Sequence, residues 1–240
     1  MRYYITGRVT PERARVGMSK IVLPANRGEI TFSCDSSQIT MIIDKTEMDE
    51  HSAIICAKEI ALMVVSSLGF INGCGYGVEM ITIQSDSMVS SVYGVQRTAI
   101  QISDLERGEI NELLMECFNL SAYDYFFRFA LNDYSRAIVS ELECGFLCYR
   151  AIETLKSMFG EEKEHWTVMH QSIGSSKEDA MYIKSYADPV RHGNITKFKF
   201  PDAAERDQLL LKTQDFILKY KQYLYPRLKK HFEESADVTE

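Results

Sequence analysis

The segment Tyr186-Ala187-Asp188-Pro189-Val190-Arg191-His192-Gly193-Asn194 sets an arginine beside a histidine, between two predicted helices. Arg is permanently charged, and His changes charge near neutral pH. Together they suit phosphate chemistry. The guanidinium holds or stabilises an anion, and the imidazole takes or relays a proton. Lys184, Asn194, Lys197 and Lys199 extend the same chemistry against a single carboxylate, Asp188. This is a local cationic excess in an acidic chain. A plainer reading stands beside it, in which Asp188 caps the helix or pairs with Arg191, and Gly193-Asn194 is only a turn.

Other groupings carry less. Gly69-Phe70-Ile71-Asn72-Gly73-Cys74-Gly75-Tyr76-Gly77 has the glycine content of a phosphate loop. Such loops run from a strand into a helix whose N-terminus holds the anion. Here the order is helix then strand, and no Gly-Lys-Ser/Thr follows, so a connection is expected. His165 and His170 flank Trp166 at a spacing of five, which puts them on different helix faces; zinc-binding histidines on one helix sit four apart. Cys144 and Cys148 share a helix face, but no second pair completes four ligands. No metal and no cofactor are expected. A Gly-x-Ser-x-Gly elbow is absent, which removes support for a hydrolase triad. Glu141, Glu143 and Glu153 read as a solvated helix face.

Composition sets the background. The chain has 240 residues, 45% hydrophobic and 25% charged, enough for one large domain or two small ones. Its net charge of −7 divides as −2 over residues 1–104 and −5 over the rest, so neither half is a general polyanion binder. The six cysteines are scattered in apolar runs and read as reduced, buried thiols of a cytoplasmic protein. Met1 to Gly7 carries no apolar signal core. The most apolar run, Ala53 to Phe70, is interrupted by Lys58 and Glu59. A bilayer span needs about 20 mostly apolar residues, so a core helix is expected and no membrane partner.

The elements that must position these residues fall into two periods. Up to about Asp104 the chain reads mainly as strands: Arg2 to Val9, Ser19 to Leu23, Glu29 to Cys34, Gln38 to Ile43, Gly77 to Gln84 and Met88 to Ile102. Turn residues at Pro11, Pro24 to Gly28 and Asp35-Ser36-Ser37 separate them. Weak alternation in Gln38 to Asp44 suggests a strand with both faces partly covered. One helix interrupts, with Glu47, Asp49 and Glu50 at its start and Ile54, Ala57, Ile60, Ala61 and Val64 along one face. This order predicts an α+β N-terminal domain, residues 1–104, with the helix packed on a mostly antiparallel sheet.

From about Leu105 the period is helical, which predicts an all-α bundle over residues 105–240. Gly108 to Cys117 is a short helix, and Ser121 caps the next. A longer helix carries Tyr134, Ile138, Leu142, Gly145, Tyr149, Ile152 and Leu155, where Gly145 suggests a close helix crossing. Glu161 to Gln171 and Ser175 to Tyr186 follow, the second ended by Pro189. Pro201 and Asp202 open a last long helix with the stripe Leu209, Thr213, Phe216, Ile217, Tyr220 and Leu224, and residues 233–240 read as frayed.

The helical half, roughly Leu120 to Tyr225, resembles the HEPN superfamily. The residues that carry the likeness are Asn132-Asp133-Tyr134-Ser135-Arg136-Ala137, Tyr149-Arg150-Ala151-Ile152-Glu153, and Tyr186 to Gly193 before a closing helix. The resemblance implies a homodimer that binds RNA or cleaves it without metal, in a prokaryotic or phage defence setting. His192 would be the motif's histidine, with Arg191, or Arg150 from the neighbouring helix, standing in for its arginine, and Lys184, Asn194, Lys197 and Lys199 would contact nucleic acid. Active members of that family have Arg, four to six intervening residues, then His. Here those positions hold Ala187, Tyr186 and Ser185, and Lys184 lies one too far. The alternative is a non-catalytic dimerisation module of a defence or counter-defence system, with the N-terminal domain docking a protein partner.

Overall fold

β1 (Tyr3–Thr10) buries Tyr3, Ile5 and Val9 and turns Tyr4 and Thr6 outward, the period of a half-buried strand. It sits inside an antiparallel sheet with β2 (Met18–Ala25), β3 (Gly28–Asp35), β4 (Gln38–Asp44), β5 (Gly77–Ser85) and β6 (Ser90–Val92). The strand order is β2-β3-β4-β1-β5-β6. Between β4 and β5 runs α1 (Glu50–Asn72), where the Asp49 side chain accepts the Ser52 N–H at 2.7 Å and closes the first turn. Ala53, Ile54, Ala57, Ile60, Ala61 and Val65 of α1 share one core with Ile5, Phe32, Met41 and Ile83 of the sheet. The chain is therefore α+β. The structure, a computed structural model, describes residues 1–25, 28–44, 47–86, 90–92, 98–102, 107–160 and 164–237. It divides into two compact units, Met1–Val95 and Gln96–Glu240. The change of period expected at Asp104 and the turn residues Asn26 and Arg27 lie outside the described residues.

Two expectations for the first unit need correction. β4 is one-sided: Ile39, Met41 and Ile43 are buried while Gln38 and Thr40 are exposed, because α1 covers only one face of the sheet. Of the strand expected over Met88 to Ile102, the described residues hold the three of β6 and, where strand was expected, a 3-10 turn at Thr98–Ile100; residues 88–89 and 93–97 lie outside the described residues. The glycine-rich run is a helix end. Gly73, at φ +63°, takes the left-handed conformation that closes α1, and its N–H bonds the Gly69 carbonyl. Among the described residues α1 is the one helix long and apolar enough to cross a membrane by length and composition. One side of it packs on the sheet, and the other exposes Met63, Phe70 and Ile71.

The second unit is built from α2 (Arg107–Tyr123), α3 (Tyr125–Val139), α4 (Cys144–Lys156), α5 (His165–Ile173), α6 (Lys177–Arg191) and α7 (Ala203–Asp237). Their apolar stripes meet in one core that includes Phe127, Leu147, Ile152, Leu155, Phe216 and Tyr220. The α7 stripe follows its sequence pattern, with Leu209, Thr213, Phe216, Ile217 and Tyr220 buried. α7 starts in a reciprocal capping box, since Asp202 Oδ1 accepts the Glu205 N–H at 2.8 Å and Glu205 Oε2 accepts the Asp202 N–H at 3.0 Å. Its helix continues to Asp237; residues 238–240 lie outside the described residues.

Here too the chain departs from expectation. Asp124, not Ser121, caps α3 by accepting the Phe127 N–H, and Ser121 lies within α2. The single long helix is two, broken between Val139 and Cys144. α6 does not stop before Pro189 but runs through it to Arg191. Glu141 is no solvated carboxylate: it is buried beside Arg206.

The thiols give a direct check. Cys34, Cys144 and Cys148 are buried, Cys56 and Cys117 half-buried, and Cys74 is exposed, against the expectation that all six are buried. Burial pushes the Cys34, Cys56 and Cys117 thiols up, and Cys148 well up. Since the thiolate is the reactive form, one thiol, Cys74, should react quickly with a disulfide reagent at pH 8. The rest should follow at least tenfold more slowly until denaturant is added. Loss of the fast phase in Cys74→Ser confirms the assignment, and rapid reaction of several thiols would contradict the packing.

Candidate functional site

α4 and α6 cross where the glycine in the α4 stripe lies against Tyr186: a Cβ built on Gly145 would stand 2.6 Å from the Tyr186 Cβ. Without that side chain the two helices approach closely, as expected for a glycine in an apolar stripe. One turn further along α4 is Tyr149, and near the end of α6 is Arg191. The Arg191 guanidinium lies over the Tyr149 ring, 5.1 Å from its centroid. It also stands 3.5 Å from Glu153 and 3.8 Å from Asp188. Asp188 in turn has Lys184 at 4.0 Å, and Glu153 has Lys156 at 3.7 Å. Burial pushes the Tyr149 phenol up, so the ring presents a neutral face to these charges.

The sequence-predicted residues divide into those committed to neighbours and those left open. Arg191 is committed to two carboxylates and a ring. Lys199 is committed as well: its Nζ bonds Glu205 and the Tyr186 hydroxyl, and it lies over the Tyr186 ring. That cation and the Asp202 N–H hold the Glu205 carboxyl down to about 2. Asn194 accepts the Thr196 hydroxyl at 2.8 Å, and its N–H bonds the Pro189 carbonyl. His192 caps the C-terminus of α6, its N–H on the Asp188 carbonyl. Its imidazole is exposed and has no partner among the described residues. Lys197 ends the 3-10 turn Ile195–Lys197, equally exposed and without a partner among the described residues.

Arg150 does not reach this corner. Its Nε bonds Asp133 Oδ2 at 2.6 Å, and its Nη2 bonds the other oxygen, a bidentate pair that ties α4 to α3. The segments that carry the family resemblance are thus bonded to one another: Asp133 to Arg150, and Tyr149 and Glu153 to Arg191.

A feature absent from the sequence reading lies alongside. A cavity of about 260 Å³ opens between α4, α5 and the start of α6, lined by Tyr149, Trp166, His170, Lys177, Met181 and Lys184. Trp166 is offset-stacked with Tyr149 at 6.1 Å and with His170 at 5.7 Å, and Lys156 lies 5.2 Å over the indole. His170 Nδ1 is 2.8 Å from the Ser175 hydroxyl, and burial pulls its pKa below the usual histidine range. The imidazole is therefore neutral at pH 7. The available signal was Trp166 and His170 at i, i+4, which share a helix face. Among the described residues no three His, Cys, Asp or Glu side chains converge as a metal site would require.

Compared with known families, residues 3–93 match the model described as the N-terminal domain of a domain of unknown function, DUF8168. Residues 112–225 match the model of the C-terminal domain of the same DUF8168. No curated protein and no solved structure matches the chain.

Proposed function

We propose that the helical unit is a HEPN-like RNA-binding module, of the kind found in prokaryotic or phage conflict systems, and that it lacks robust nuclease activity. The observation that carries this reading is the corner at the end of α6. His192 and Lys197 are open there, while the exposed Arg191 has Glu153 at 3.5 Å and Asp188 at 3.8 Å beside it. An exposed lysine beside an exposed imidazole suits phosphate contact. A guanidinium whose charge is shared with two nearby carboxylates is less free to stabilise a phosphorane, and that stabilisation is what ribonuclease catalysis would ask of it.

Labelled single-stranded RNA tests this in EDTA. Binding should weaken with salt, with a slope between about −0.7 and −1.4 in log K against log [salt], since about 0.7 accrues per phosphate neutralised on a single strand and His192 and Lys197 offer at most two such contacts. Lys197→Ala should reduce that slope by roughly 0.7. His192→Ala should weaken binding by several-fold, with no cleavage in either protein. EDTA-resistant cleavage abolished by His192→Ala would replace this reading with weak metal-independent ribonuclease activity. No salt-dependent RNA binding at all would end it.

One observation favours a second reading, a dimerisation module. α2 exposes Ile110, Leu114 and Phe118 at helical spacing, and α3 exposes Tyr125 and Phe129. Light scattering at several concentrations should then show twice the chain mass, and Leu114→Glu should restore the monomer.

A further inference from the structure

The cavity beside Trp166 plays no part in phosphate contact at the end of α6, and its chemistry is different. We propose that it takes one unpaired nucleobase, whose attached phosphate is held by Lys177 and Lys184. This rests on the RNA-binding reading and names the feature of the strand that the module selects. Size argues for a single flat ring system: about 260 Å³ lies just under the 300–1,000 Å³ usual for drug-sized ligands. Tyr149 is buried behind Trp166 and forms the floor, and the half-buried Trp166 and His170 with the exposed Met181 make planar or soft walls. Such surfaces accept any base, because every base has a π face. A base paired inside a duplex cannot present that face, so the cavity selects for single strands.

Charge argues for a phosphate. Lys177 and Lys184 line the opening, Lys184 also facing Asp188 at 4.0 Å, and Lys156 lies over the Trp166 ring. The position of Lys177 is informative. It is the first residue of α6, where the helix dipole disfavours a cation and where Glu178 and Asp179 fit better. The helix gains nothing from that lysine, whereas an anion over the cavity does.

Trp166 is the single tryptophan of the chain, so intrinsic emission reports on this cavity alone. The intact protein is titrated with a short single-stranded RNA, its blunt duplex, a nucleoside 5′-monophosphate and inorganic phosphate, while strand binding is followed separately by anisotropy of an end label. The single strand should quench Trp166 emission, and the duplex and inorganic phosphate should not. Lys177→Glu should weaken that quenching about tenfold without lowering the melting temperature, since it removes a cation from a helix N-terminus. Quenching by the monophosphate together with the strand supports the site and extends it to free nucleotides. Quenching by the monophosphate without strand binding keeps the cavity, assigns it to free nucleotides and ends the RNA-binding reading. Strand binding with unmoved Trp166 emission overturns the cavity and leaves RNA binding intact. Equal quenching by the duplex overturns the requirement for an unpaired base, and no response to any probe overturns both readings.

Discussion

Arg206→Ala is expected to destabilise the helical unit by about 3–5 kcal/mol, the usual cost of removing one partner from a buried ion pair. Arg206 and Glu141 are both almost fully buried, with Nη1 3.1 Å from Glu141 Oε1. Its Nη2 donates to the Ile138 carbonyl at 2.5 Å, one of the carbonyls that the end of α3 leaves without a helical donor. One side chain therefore neutralises the buried carboxylate and caps the helix at the break between α3 and α4. Alanine there takes the guanidinium from the buried Glu141 carboxylate and the side-chain donor from the Ile138 carbonyl. Against a total stability of about 5–15 kcal/mol, the loss removes a large share. Urea unfolding followed by helical circular dichroism measures it, with the midpoint falling and the slope unchanged. Arg206→Met combined with Glu141→Leu should lose less than Arg206→Ala alone, because no charge is then stranded. A loss below about 1 kcal/mol in Arg206→Ala would show that water reaches the pair.

That same pair explains why one part of the fold was legible in the sequence and another was not. Starts of helices are written locally: Asp49 before α1, and Asp202 with Glu205 before α7, lie within a few residues of the N–H groups they satisfy. The one-faced stripe of α1 and the alternation of β1 are equally local. The break between Val139 and Cys144 is not. The guanidinium at that corner arrives from 65 residues away along the chain, so the apolar stripe reads straight through the break. Pro189 misled in the opposite direction, because a proline in a last turn removes a single donor and α6 continues past it to Arg191.

The site was legible by residue type and illegible by geometry. Arg191 and His192 stood out as chemistry. Both are exposed, and which of them has charged and aromatic neighbours depended on α4, which supplies Tyr149 and Glu153 to Arg191 alone. The Trp166 cavity was missed because its parts come from three helices, and each part alone reads as ordinary packing or an ordinary surface lysine. The DUF8168 matches cover both halves of the chain but bring no chemistry with them. The residues themselves carry the functional reading.

Gly145→Ala tests the contact on which the site's geometry depends. Alanine in a helix interior normally gains up to about 1 kcal/mol over glycine. Here the added Cβ would meet the Tyr186 Cβ at 2.6 Å and its carbonyl carbon at 3.3 Å. Neither is the end of a flexible side chain, so the two helices have to separate. Overpacking of this kind costs about 1–3 kcal/mol, so a net loss of about 1–2 kcal/mol is expected. Gly108→Ala provides the opposite sign, since a Cβ at that helical glycine meets nothing within 4 Å and should be neutral or stabilising. Binding should respond more than stability does. Tyr149 lies one turn beyond the crossing on α4, and Arg191 rests on its ring from α6, so separation at Gly145 widens both the Arg191 cage and the cavity beside Trp166. The variant should still fold at 20 °C and yet lose about tenfold in Trp166 quenching by single-stranded RNA. If it were destabilised as expected but quenched like the parent protein, the helix crossing would support the fold without setting the site.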